Sequence, residues 1–299
     1  MARRLRALVV AAMCITAMAG FGVTGAAADP GQTPPPRNNS SDETVYLVKG
    51  FNSIPLSDGV SCQDRWGRFT QAMQSWGWKG TFVKVGFYTG DDCDINLART
   101  DGTRDLPLEE LGRRLAWNIY LNYSRYGKSV DLVGHSMGGL IVRAAVHGVT
   151  HRPSGDWPPF IYVEDAVTLG APHYGVAARC RPDQARTRQC LQMNPGSSFL
   201  NWLHSARVPQ SAQRTDWTFI GTNADDTVSR DSATPRTDGA QHLVRYAKSE
   251  GIGHSQLREL AHGTKKLYYS NNGRRWVTSQ FGAAPVRAAG NALYWQSRW

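Results

Sequence analysis

The sequence predicts an α/β fold, a mostly parallel sheet with helices on both faces, and three observations lead there. Short apolar runs recur at residues 44–48, 81–87, 129–133, 161–169, 216–220 and 242–246. Several are followed by segments whose apolar residues return at helical spacing. One run passes straight into a glycine-bracketed turn and then an amphipathic stretch, the strand–turn–helix order of a nucleophile elbow. Strands that read as continuous apolar runs are buried on both faces, which requires helices on each side of a parallel sheet. At 299 residues the chain suits one catalytic domain of this class.

The elements follow in order. Residues 1–28 read as a secretory signal peptide: Arg3, Arg4 and Arg6 make a charged start, residues 8–23 are apolar, and Ala26-Ala27-Ala28 fits a small-residue cleavage site before Asp29. The expected location is secreted and extracellular, with no transmembrane segment in the mature protein. Residues 29–42 are polar and Pro-rich, a flexible N-terminal lead-in that buries too little to fold alone. The catalytic domain is expected over 43–264. Residues 44–48 form its first strand, running into Lys49-Gly50-Phe51-Asn52, and Trp66, Phe69, Met73 and Trp76 mark the helix that follows. After the strand at 81–87, Pro107 opens a long helix carrying Leu108, Leu111, Leu115, Ile119 and Tyr123 on one side.

The strand at 161–169 ends in Gly170-Ala171-Pro172-His173, and residues 216–220 and 242–246 supply two more. Between them, 175–214 lacks strong periodicity and carries Leu191, Met193, Phe199, Leu200, Trp202 and Leu203. It is expected to cross the active-site edge as a lid, a pocket wall or plain packing. The extension at 265–299 is basic and aromatic, and Asn271-Asn272-Gly273 signals a hairpin packed on the domain.

Charge and cysteines narrow the setting. Removing Arg3, Arg4 and Arg6 with the signal lowers the formal charge from +10 to +7. The remaining Arg and Lys are scattered rather than clustered, so a solvated surface is expected and nucleic acid is not. Four cysteines remain, an even count that in an exported chain predicts two disulfides. Sequence proximity favours Cys62 with Cys93 and Cys180 with Cys190. None has the C-x-x-C spacing of a zinc site, and no metal or organic cofactor is expected.

The turn Gly134-His135-Ser136-Met137-Gly138 makes Ser136 the candidate nucleophile. At an elbow the serine backbone is strained and the flanking glycines clear the neighbouring strand and helix. A serine hydroxyl needs a base to take its proton, and an imidazole needs an acceptor on its other nitrogen. In this arrangement an acid and then a histidine follow the serine at later strand ends. Asp225, in the acidic loop after residues 216–220, is the candidate acid, because Asp-x-x-Val lets Val228 bury beside it; Asp226 is the close rival and Asp231 a distant third. Of His242, His254 and His262, His254 fits best, in the loop Gly251-Ile252-Gly253-His254. His135 is expected to be structural, projecting away from Ser136, and His173 is a candidate pocket wall. An oxyanion hole is expected from the backbone N–H groups of Phe51 and Met137.

The segments Val48-Lys49-Gly50-Phe51-Asn52, Gly134-His135-Ser136-Met137-Gly138-Gly139, Thr168-Leu169-Gly170-Ala171-Pro172-His173-Tyr174-Gly175, Asp225-Asp226-Thr227-Val228 and Gly251-Ile252-Gly253-His254 resemble the secreted bacterial lipases and esterases of the α/β-hydrolase superfamily, especially their small class 2-like triacylglycerol lipases. The resemblance implies the α/β-hydrolase fold and ester hydrolysis with Ser136, Asp225 and His254 as the triad. It also places Phe51 and Met137 at the oxyanion. Where such lipases usually have His-Gly in the oxyanion loop, this chain has Lys49-Gly50. The expected partner is an acyl ester or lipid substrate met by a monomer with transient contact at a lipid interface. A polyester depolymerase or phospholipase with the same triad is the alternative enzyme, and a non-catalytic surface-binding protein on this scaffold is the alternative class.

Overall fold

The computed structural model describes residues 33–52, 59–98, 100–151, 155–176, 185–294 and 298–299. The expected signal peptide and Cys180 lie outside these residues. Nine strands form one sheet: β1 (Val45–Val48), β2 (Phe82–Gly86), β3 (Ile95–Asn96), β4 (Val130–His135), β5 (Val163–Leu169), β6 (Asp216–Thr222), β7 (His242–Tyr246), β8 (Thr264–Asn271) and β9 (Val277–Ala283). Their spatial order is β3-β2-β1-β4-β5-β6-β7-β8-β9. Strands β3 to β7 pair in parallel, and β8 and β9 continue the sheet antiparallel.

The chain leaves β1 towards β2 at one edge, then returns to the other side of β1 as β4. The strand order therefore reverses between β1 and β4, and in open α/β sheets ligands enter the crevice beyond the carboxyl ends at such a point. The loops leaving β1 and β4 begin with Lys49 and Ser136, so the topology alone brings those two turns to one crevice.

The helices cover the two faces because side chains alternate along each strand. Tyr46 and Val48 point to the face covered by α2 (Leu108–Asn122) and α3 (Met137–His151), while Val45 and Leu47 point to the face covered by α1 (Cys62–Ser75) and the helix Pro285–Tyr294. Helix α3 is buried nearly all round, from Met137 to Val149, as befits a helix wedged between the sheet and α2. Each fully buried leucine or valine here contributes roughly 1.5–3 kcal/mol relative to exposure. Helix α1 starts at Ser61, whose hydroxyl accepts the Asp64 N–H at 3.2 Å. On α2, Glu110 pairs with Arg113 and Arg114 one turn on.

The disulfide Cys62–Cys93 joins the first residue of α1 to the segment between β2 and β3. Cys190 is also disulfide-bonded. In the 175–214 stretch, α4 (Arg188–Gln192) and α5 (Ser198–Leu203) are short helices, and Phe199, Leu200 and Leu203 join the core of the α2/α3 face. The buried Arg143 of α3 ion-pairs with Asp238 and donates to the Leu203 carbonyl at 3.0 Å, so α5 is fastened to the body. The expected hairpin turns at Asn272 and Gly273, both with left-handed φ, and its first strand pairs with β7.

At the N-terminal ends of the strands the carboxyl groups of Glu43, Asp131, Glu164 and Asp165 are buried together. Arg37 reaches in from residues 33–42, placing Nη2 at 2.6 Å from Asp165 Oδ1 and donating Nη1 to the Glu164 carbonyl at 3.0 Å. Burial first, and then neighbouring carboxylates, push Glu43 up to about 8 and hold Asp131 well above the carboxylate range.

Candidate active site

Strand β4 ends at His135, and the next residue, Ser136, has φ 54° before α3 begins at Met137. A non-glycine residue held in this left-handed region is sterically costly, and the surrounding bonds keep it there: the Ser136 N–H donates to the Leu169 carbonyl at 2.9 Å, and the Ser136 carbonyl accepts the Gly139 N–H at 2.9 Å. The hydroxyl is thereby lifted above the sheet edge. Gly50 permits the β1 loop to lie against it, since a Cβ at that position would stand 2.9 Å from the Ser136 Cβ. Met137 opens α3, so its N–H has no intrahelical acceptor. Phe51, in the neighbouring loop, lines the same cleft as Ser136.

Asp225 follows β6. One carboxylate oxygen, Oδ1, accepts the N–H groups of Thr227 and Val228 at 2.8 and 3.0 Å, and Oδ2 lies 2.7 Å from His254 Nδ1. The carboxylate has no solvent-exposed surface, whereas Asp226 is exposed and, among the described residues, bonds only the Thr227 hydroxyl. Val228 is fully buried beside the loop. Because Oδ2 can only accept, His254 carries its proton on Nδ1 and leaves Nε2 with a lone pair. Gly170, at φ 60° after β5, makes room for the ring: a Cβ there would come within 3.2 Å of His254 Nδ1.

This strand–elbow–helix with an acid after β6 and a histidine after β7, on a parallel sheet switching between β1 and β4, decides the fold. The chain has the α/β-hydrolase fold. A family profile described as the PGAP1-like alpha/beta domain matches residues 114–202, the stretch that carries the hydrolase elbow. Among solved structures the chain is similar to Aspergillus fumigatus lipase B, at 16% identity and TM-score 0.48, covering 73% of this chain and 49% of that one. It thus spans about half the length of that lipase. It is also similar to the mature form of Bacillus licheniformis lipase BlEst2 (17% identity, TM-score 0.41, 69% of this chain and 83% of that one). Phospholipase PlaB from Legionella pneumophila is a third (12% identity, TM-score 0.46, 68% and 47%). No curated protein matches the sequence.

Ser136 and His254 line one cleft of about 200 Å³ in this hydrolase fold, together with Lys49, Gly50, Phe51, Asn52, Val60, Arg65, His135, Ser255 and Arg258. Among the described residues no hydrogen bond joins the Ser136 hydroxyl to the His254 ring. A longer approach of this kind is common before substrate binds.

Two further histidines have defined places. His135, expected to be structural and to project away from Ser136, has a structural contact but also lines the Ser136 cleft: it donates from Nε2 to the His254 carbonyl at 3.1 Å, with the two rings 4.8 Å apart. Burial and the nearby charges hold it well below the usual histidine range, so it stays a neutral strut under the His254 loop. His173, a candidate pocket wall, is fully buried instead. It stacks on Phe219 at 4.0 Å, with Nε2 3.0 Å from Thr168 Oγ1, because β5 turns it inward.

Lys49 is the largest surprise. Its ammonium is 3% exposed, ion-paired with Asp91 at 2.9 Å and covered by the Phe87 and Tyr88 rings at 4.0 and 4.2 Å. Burial depresses it to about 8, against the pull of Asp91. Asp91 is itself held by the N–H groups of Phe87 and Tyr88, two residues before the disulfide at Cys93. The loop after β1 is thus tied to the disulfide-bonded corner through the Lys49–Asp91 ion pair. A lysine before Gly-Phe was a visible signal; its partner, 42 positions later, was not.

Proposed function

We propose that this protein is a secreted serine carboxylester hydrolase working through an acyl-enzyme on Ser136. The observation that carries the reading is the 2.7 Å contact between His254 Nδ1 and Asp225 Oδ2, at the rim of the cleft that Ser136 lines. His254 Nε2 takes the Ser136 proton as Oγ attacks the ester carbonyl. The Phe51 and Met137 N–H groups receive the developing oxyanion, and Asp225 stabilises the imidazolium. His254 then protonates the departing alcohol, and a water activated by the same nitrogen releases the acid. All these steps use groups of the chain itself.

Triacylglycerols are the reference substrates, and phospholipids and polyesters use the same acyl-transfer chemistry. A disulfide at Cys62–Cys93 and a signal-like 1–28 segment support export. Among the described residues no helix is long and apolar enough to cross a membrane. On this reading 43–264 is the catalytic domain and 265–299 completes it at the sheet edge. A purely binding protein on this scaffold leaves the Asp225–His254 pair without a task.

The test is labelling by a serine-directed phosphonate together with p-nitrophenyl ester turnover. Ser136→Ala is expected to lose labelling and to lower kcat by about 10⁶-fold. A Ser136→Ala protein that still labels and turns over ester ends the proposal.

A further inference from the structure

The cleft beside Ser136 is cationic as well as small. Its lining holds Lys49, Arg65 and Arg258 and, among the described residues, no carboxylate. Two of these cations have partners: Lys49 has Asp91, and Arg258 Nη2 lies 2.7 Å from Glu259. Glu259 is shared with Arg68 at 3.9 Å, so it offsets one arginine and not both. Arg65 is different. It sits in the first turns of α1, with its backbone carbonyl accepting Arg258 Nε at 3.1 Å, and among the described residues its guanidinium meets no acid.

The surplus charge is felt by its neighbours. After burial, which dominates in each case, the Arg65 charge contributes to lowering Lys49, Arg258 and His135 alike. Arg65 lines the same cleft as all three. Arg65 is partly buried beside two other cations and, among the described residues, has no acid of its own, so a bound anion would be favoured there. A guanidinium also offers a planar fork that fits carboxylate or phosphate.

The volume points the same way. About 200 Å³ lies below the range of about 300–1,000 Å³ typical of drug-sized ligand sites, so the cleft has room for a compact polar group rather than a long acyl chain. The larger, more apolar hollow of about 540 Å³ is formed elsewhere, by Tyr174, Val176, Pro195, Pro235 and Trp276 among others.

We infer that the cleft selects esters carrying an anionic group, carboxylate or phosphate, within a few bonds of the scissile carbonyl, with Arg65 as its principal anchor. The inference rests on the serine-esterase reading above. Arg65 then determines specificity without entering the bond-making steps, and Arg258 and Lys49 keep the surrounding field positive.

The experiment compares two matched ester pairs by kcat/KM. Mono-p-nitrophenyl glutarate against its methyl ester places the charge on the acyl side. Dihexanoyl phosphatidylglycerol against dihexanoylglycerol, below their aggregation limits, places it on the alcohol side. At low salt the anionic member of at least one pair is expected to be preferred about 10-fold, and the pair that shows it identifies the source of the anion. The preference should shrink at about 0.5 M salt and fall towards unity in Arg65→Gln. It should persist in Lys128→Gln, which lies at the far end of β4. Ester turnover with a ratio at or below one in both pairs, or a preference untouched by Arg65→Gln, overturns the inference and leaves the esterase reading standing. No turnover of any of the four esters, together with no Ser136-dependent labelling, removes both.

Discussion

At the C-terminal ends of the strands the Asp225 carboxylate receives two backbone N–H groups and the His254 ring. At the N-terminal ends, Glu43, Asp131, Glu164 and Asp165 are buried near one another with Arg37 as their cation. Both ends bury carboxyl groups, and neither leaves them in water. The difference lies in what faces them. Donors around Asp225 suit a carboxylate, as the proposed role of balancing an imidazolium requires, whereas at the other end burial and neighbouring carboxylates raise Glu43, Asp131 and Asp165, so that they hold protons a solvated acid would release. A buried acid is functional by its partners, not by its burial.

The sharpest way to break this contrast is at Asp225. Asp225→Asn is expected to lower kcat about 10⁴-fold, since an amide in its place permits the wrong histidine tautomer. Asp226→Asn should stay near the parent, because that side chain is exposed and, among the described residues, bonds only Thr227. Steady-state turnover of a p-nitrophenyl ester measures both, and the reverse order would move the acid to Asp226.

A smaller effect is expected at the disulfide-bonded corner that holds Asp91 against Lys49. Replacing Cys62 and Cys93 by alanine removes a cross-link spanning 31 residues, at a cost of about 3 kcal/mol. Urea denaturation reads this directly. An unchanged midpoint and unchanged kcat would show that the corner is held without the bond.

The smallest effect belongs to the opposite end. Glu43 titrates at about 8 when folded and near its ordinary value of 4.5 when unfolded, so between these values the folded state binds more protons. Stability from this group is complete below about pH 4.5 and is lost as pH rises through about 8. Glu43→Gln keeps the neutral form at every pH. It is expected to raise Tm at pH 8 by about 3 °C and to flatten the decline between pH 5 and 8, with the effect vanishing near pH 4. A pH-independent change in Tm would assign Glu43 a packing role alone.

Much of the fold was legible because parallel strands buried on both faces cannot disguise themselves. The runs at 44–48, 81–87 and 161–169 contain β1, β2 and β5. The two-residue β3 carries too little pattern to be seen, and the joining of β8 to β7 depends on long-range pairing that a local hairpin signal does not contain. In the site, Ser136 was marked by its own neighbours, and Asp225 and His254 by their order along the chain. The direction of His135 and the burial of His173 were not legible, because which way a side chain turns near a strand end depends on what packs there. Lys49 with Asp91, and Arg65 with Arg258, are relations between distant residues, and no window of sequence displays them.

The strand order also bears on how the molecule is made. From β4 onward each new strand is added beside the one before it, so a chain emerging from the ribosome N-terminus first can lengthen its sheet outward in the order of synthesis. The strand leading to Ser136 can be flanked by β1 and β5 well before the loop of His254 has been translated. On the proposed reading, the scaffold around Ser136 can therefore form before His254, the residue proposed to activate it, has been made.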